Sequence, residues 1–184
     1  MTALLISLCA HAQFFMGLEI AGTTTEFTNQ LKLKGFELSP ESKPAVMVMT
    51  GKLGSQNVRL LIAGTPKTYM TAKLVVIYPE EETWYSLLED YNKVKKIITE
   101  KYGKPDKGYE FFESPYYLGD GYELQAVRSE KCFYIQVWHA TEQFPNQTLA
   151  VRINKGLYVS LVYENDEIMA LKEKEQKQID DSTY

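Results

Sequence analysis

The chain has 184 residues, 45% of them hydrophobic, and its 24 Asp and Glu against 20 Lys and Arg give a formal net charge of −4. That length and apolar fraction suffice for one domain with its own core. The acidic balance, with no Lys/Arg-rich run interleaved with aromatics, argues against a nucleic-acid-binding protein.

The first stretch, MTALLISLCAHA (residues 1–12), carries no charged side chain and ends in Ala10-His11-Ala12. An apolar run closed by A-x-A is the pattern of a secretory signal peptide. The run is short and no basic segment precedes it; a start codon lying further upstream would account for both. The competing reading is a core strand over Ala3–Leu8. Nowhere is there a run of the about 20 apolar residues that a spanning helix requires. Export would remove Cys9 and leave Cys132 as the only cysteine, so no internal disulfide is expected. Leu8 before Cys9 does not suit a lipidation site.

Phe14 to Ile20 suits a short edge strand. Thr23 with Glu26 three residues later forms a capping box, and Phe27 and Leu31 stack one turn apart. Gly35 then closes the helix, with Phe36 as its hydrophobic stop. The Pro-bounded polar segment Glu37–Pro44 is a loop. Three β-branched runs follow, Ala45–Leu53, Val58–Ala63 and Thr68–Tyr78, separated by Gly- and Pro-marked turns.

The clearest helix spans about Glu80 to Tyr102. Trp84, Leu87, Leu88, Tyr91, Val94, Ile98 and Tyr102 recur at three- and four-residue steps. Glu80, Glu81 and Glu82 would occupy its first turn, Lys95, Lys96 and Lys101 lie toward its end, and Gly103 and Pro105 stop it. Beyond it, Tyr109–Phe112, Tyr122–Arg128, Lys131–His139, Leu149–Ile153 and Leu157–Tyr163 read as strands. Ser129-Glu130 and Asn154-Lys155-Gly156 suit hairpin connections. Glu164–Tyr184 reads as a short helix that frays after Lys174.

The expected fold is therefore α+β, an antiparallel sheet covered by helices. The order also suits a tandem helix-plus-meander repeat, although sequence identity between the halves is negligible. The division is a signal peptide at 1–12, one domain at 13–172 and a flexible tail at 173–184. The segments Gly22-Thr23-Thr24…Phe27…Leu31…Gly35-Phe36 and Trp84…Leu88…Tyr91…Lys101-Tyr102-Gly103 give a layout similar to the small exported bacterial domains with the β-lactamase-inhibitor-protein-like fold. The resemblance covers about a third of the chain and implies a non-catalytic binding scaffold. The chain departs from the inhibitor in lacking the cysteines for its two disulfides.

Chemistry is sparse. Past residue 12 the chain has a single histidine, His139. On a strand, Cys132 and His139 fall on opposite faces about 23 Å apart, which excludes a nucleophile–base pair. No HExxH, CxxC or His pair offers a metal site, and no Walker loop or GxGxxG fingerprint offers a nucleotide site. No catalytic, cofactor or metal residue is assigned. Glu110, Glu113 and Glu123 flank an aromatic loop and form a carboxylate set that could face one cleft, as a hydrolase would need. Asn146-Gln147-Thr148 matches a glycosylation sequon.

The functional candidate is Glu113–Tyr122, ESPYYLGDGY, a Pro- and Gly-containing loop with Tyr116, Tyr117 and Tyr122. Tyr on a loop held by a rigid sheet gives large contact area at low entropic cost. The plainer alternative is that these rings fold down on the sheet edge. Phe144 in QFPNQ is a second candidate of the same kind. The reading is an exported, periplasmic or extracellular, non-enzymatic binding domain of a bacterial envelope. Its partner would be a protein or small ligand. A small hydrolase using loop carboxylates and a purely structural envelope component are the alternatives.

Overall fold

A computed structural model describes residues 14–141 and 145–183. The expected leader at 1–12 and Phe144 lie outside the described residues.

Phe14–Phe15 (β1) and Leu18–Glu19 (β2) form a two-residue hairpin rather than one edge strand. Helix α1, Thr24–Lys32, starts on the expected capping box: Glu26 N–H donates to Thr23 Oγ1 at 3.2 Å, and Thr23 N–H donates to Glu26 Oε2 at 2.8 Å. It ends where Gly35 takes φ +88°, which lets Phe36 N–H reach Leu31 O and Gly35 N–H reach Lys32 O. Paired bonds of this kind satisfy the last carbonyls of a helix and fold the next apolar residue back onto it. Phe36 and Leu31 are both buried. The chain then meanders through Glu37–Leu38 (β3), Val46–Leu53 (β4), Gln56–Gly64 (β5) and Thr71–Glu80 (β6).

Helix α2 runs Trp84–Tyr102 and begins later than the acidic run suggests. Glu80 is the last residue of β6, and Thr83 is the N-cap, accepting a hydrogen bond from Ser86 N–H at 3.1 Å. A capping hydroxyl followed by an apolar residue outranks three glutamates as a start signal, because it satisfies a specific orphan donor. Gly103 closes the helix at φ 83° and ψ −167°, a region open essentially to glycine alone.

The second meander comprises Lys107–Phe112 (β7), Cys132–Trp138 (β8), Gln147–Asn154 (β9) and Tyr158–Asn165 (β10). Between β7 and β8, the expected strand Tyr122–Arg128 is instead a short helix, α3, Glu123–Arg128. Its buried residues Glu123, Ala126 and Val127 repeat at three- and four-residue steps. Ser129-Glu130 is thus a helix exit and not a hairpin. The C-terminal helix α4, Asp166–Thr183, does not stop at Lys174. Asn165 Oδ1 accepts from Ile168 N–H at its start, and Glu175, buried, accepts from Lys67 N–H, Thr68 N–H and Thr68 Oγ1 at 2.7, 3.2 and 2.6 Å. One carboxylate thereby ties the second half of α4 to the β5–β6 turn.

The main sheet has eight strands in the order β3-β4-β5-β6-β10-β9-β8-β7, every neighbouring pair antiparallel. Each half is a helix followed by a four-strand meander, and the halves join where their last strands, β6 and β10, pair. One face carries the core. Leu60, Ile62, Leu74, Val76, Val151 and Leu161 meet Phe27 and Leu31 of α1 and Leu87, Tyr91, Val94 and Ile98 of α2. The opposite face holds the alternate residues.

Candidate functional site

The loop 113–122 leaves β7 and returns through α3, and its backbone is fixed by its own carboxylates. Asp120 accepts from Tyr117 N–H at 3.0 Å and from Tyr122 N–H at 2.7 Å. Glu123, at the base, accepts from Gly119 N–H at 2.8 Å and is buried. Lys131 bonds Glu113 at 2.6 Å. Short polar side chains that capture nearby amides hold turns in one shape, which is why Asp120 can sit between glycines here. Gly119 and Gly121 take φ +87° and +80°.

This frame separates the three candidate tyrosines. Tyr116 is half-buried, as ordinary packing would have it. Tyr117 is 66% exposed, Leu118 61% and Tyr122 59%. Those rings do not fold down on the sheet edge.

A second aromatic group escaped the sequence reading. Phe111 of β7 lies directly opposite Phe133 of β8, with rings stacked at 5.0 Å and 19°, and Tyr109 meets Phe111 edge-on at 6.3 Å. All are exposed and stand on the sheet face opposite the core. The period-two alternation of KGYEFF and CFYIQVW already places them together once the two strands are paired in register. The pairing itself is what sequence lacks.

The titratable groups are dispersed. Glu110 points to the core side of β7, where it accepts from Lys95 Nζ, Tyr91 OH and Gln136 Nε2 at 2.7, 3.0 and 2.9 Å. Partial burial works to raise its pKa, but the bond and charge of Lys95, with Tyr91 and Gln136, outweigh it and hold the carboxyl below the ordinary value. Glu113, three positions on, projects from the other face. The two do not face a common cleft, contrary to the arrangement a carboxylate hydrolase would need. Burial pushes the Cys132 thiol up to about 12, so it is not a thiolate at neutral pH. His139 sits past the far end of β8, where its backbone N–H donates to Asp106 at 2.6 Å. That bond is the largest influence holding Asp106 below the usual carboxylate range.

Among the described residues no three His, Cys, Asp or Glu side chains gather as a metal site, and no helix is long and apolar enough to cross a membrane. The side-chain amide of Asn146 donates to Glu167 at 2.7 Å, which binds the sequon to the start of α4.

No family model, curated protein or solved structure matches this chain. A depression of about 940 Å³ lies across the opposite end of the sheet beside Lys34, Lys52, Arg59, Tyr78 and Glu80. It contains neither histidine nor cysteine. The aromatic loop and the aromatic row of β7 and β8 each group several exposed rings in fixed positions.

Proposed function

We propose that this chain is an exported, non-enzymatic interaction domain of a bacterial cell envelope that holds a protein partner through the loop 113–122. One observation carries the reading: Tyr117 and Tyr122 stay exposed on a backbone pinned by Asp120 and Glu123. Pre-ordered tyrosines lose little entropy on binding and supply both ring area and a hydroxyl, the combination favoured in contact surfaces. The similarity of layout to the β-lactamase-inhibitor-protein-like domains points the same way.

The test is capture from a bacterial envelope extract by the full chain, beside a Tyr117→Ser/Tyr122→Ser variant. Both side chains are exposed, so the variant should keep the parent's circular dichroism and melting temperature. A protein retained by the parent and lost from the variant is the expected result. Equal capture by both would remove the loop from the contact, and no capture by either would sink the interaction reading. Cell fractionation that leaves the chain wholly in the cytoplasm would refute export.

A further inference from the structure

The two edges of the sheet are built differently. At one end β3 is only two residues long, a blunted edge. At the other, β7 runs six residues with no register shift against β8 and no proline. Its one residue pointing into the core side with a charge, Glu110, is already neutralised by Lys95 at 2.7 Å. Shortness and proline, two of the devices that stop an edge strand from pairing, are absent from β7; its charges are Lys107 at the first position and the Lys95-bound Glu110.

The backbone parity of β7 follows from one bond. Glu113 N–H donates to Lys131 O at 2.8 Å, and Phe111 and Phe133, Tyr109 and Ile135, and Lys107 and Val137 continue the same alternate register. In an antiparallel ladder hydrogen-bonded pairs alternate with non-bonded ones, so the amides and carbonyls of Gly108, Glu110 and Phe112 point outward from the sheet. Lys107, Tyr109 and Phe111 stand on the face opposite the core, and Glu113, one residue past the strand, continues the alternation through its backbone bond to Lys131, giving an order of positive, aromatic, aromatic, negative.

That order is its own complement when reversed. We infer that two copies of this chain pair antiparallel through β7, about a two-fold axis at Glu110, to form one continuous sheet. In this register Gly108 bonds Phe112 of the second copy and Glu110 bonds its own counterpart, about six backbone hydrogen bonds in all at two per bonded pair. Tyr109 then lies opposite Phe111 of the second copy, in the non-bonded positions where side chains approach most closely. Lys107 lies opposite Glu113 of the second copy, whose carboxylate also holds Lys131 of its own chain at 2.6 Å, and the axis repeats both contacts. Shifting the register by two residues sets Tyr109 or Phe111 against itself and breaks the charge match. The one like-charge meeting, Glu110 with its counterpart, occurs where each carboxylate is held by its own Lys95.

Charge reversal tests this directly, by sedimentation equilibrium on the full chain. The parent should show a concentration-dependent dimer. Lys107→Glu or Glu113→Lys alone places like charges opposite each other twice, and either should weaken the dimer about tenfold or more. An equimolar mixture of the two variants restores opposite charges at both positions and should recover the dimer. Lys107 is exposed, and circular dichroism matching the parent confirms that each variant is folded. A parent that stays monomeric, a dimer unaffected by either reversal, or a mixture that fails to recover it would each overturn the inference.

Discussion

Tyr91 is the sharpest place to test how the second helix is held, because one side chain carries two separable contributions. Its ring is fully buried and meets Tyr134 edge-on at 5.6 Å, while its hydroxyl donates to Glu110 at 3.0 Å. Tyr91→Phe removes only the second. A hydrogen bond to a charged acceptor contributes about 1.5–3 kcal/mol when buried. The Glu110 side chain is 38% exposed and keeps Lys95 and Gln136, so about 1 kcal/mol is expected. Tyr91→Ala empties the ring site as well and should cost about 3–5 kcal/mol. Urea unfolding at neutral pH measures both, with an unchanged slope m showing that only stability has moved. A Tyr91→Phe loss as large as that of Tyr91→Ala would refute the separation; no loss at all would mean that the hydroxyl contributes nothing net. Glu110 adds a pH signature. Its folded pKa lies below its ordinary value of 4.5, so its contribution is complete above that value and disappears as pH falls through the lower folded one. Removing the Tyr91 hydroxyl takes away one of the bonds that lower it, so the acid loss should be smaller and should be complete at a higher pH.

Thr83→Ala should cost about 1 kcal/mol in urea unfolding and Thr83→Ser much less, since the hydroxyl caps α2; changing Glu81 and Glu82 to Gln should stay within about 0.5 kcal/mol because neither lies in the helix. Glu175→Ala should abolish hydrogen-exchange protection in the second half of α4 and leave the sheet amides protected, since its carboxylate makes the three bonds to Lys67 and Thr68. Burial acts to raise the Glu175 pKa, but the Thr68 hydroxyl and the Lys67 and Thr68 amides outweigh it. The docking of α4 should therefore persist at the ordinary glutamate value of 4.5 and fail only at more acid pH; loss of α4 protection above pH 5 would contradict this.

Local signals determined much of this protein by sequence alone. The capping box at Thr23 and Glu26, the stop at Gly35-Phe36 and the apolar stripe Leu87, Tyr91, Val94 and Ile98 depend on contacts within a few residues, so each is legible without the rest of the chain. The α+β class follows from them and from the β-branched runs. Tertiary structure decided what local pattern left open. Tyr122–Arg128 has the composition of a strand, yet it coils because Glu123, Ala126 and Val127 find burial together only on a helical surface. The end of α4 is fixed by Glu175 reaching a turn more than a hundred positions earlier in the chain, which no periodicity could announce. Likewise, Phe111 and Phe133 become one aromatic row only through the register of β7 on β8, and Glu110 and Glu113 part to opposite faces by the pleat. Side-chain type and spacing are properties of the chain, but which groups share a face, an edge or a partner depends on long-range pairing.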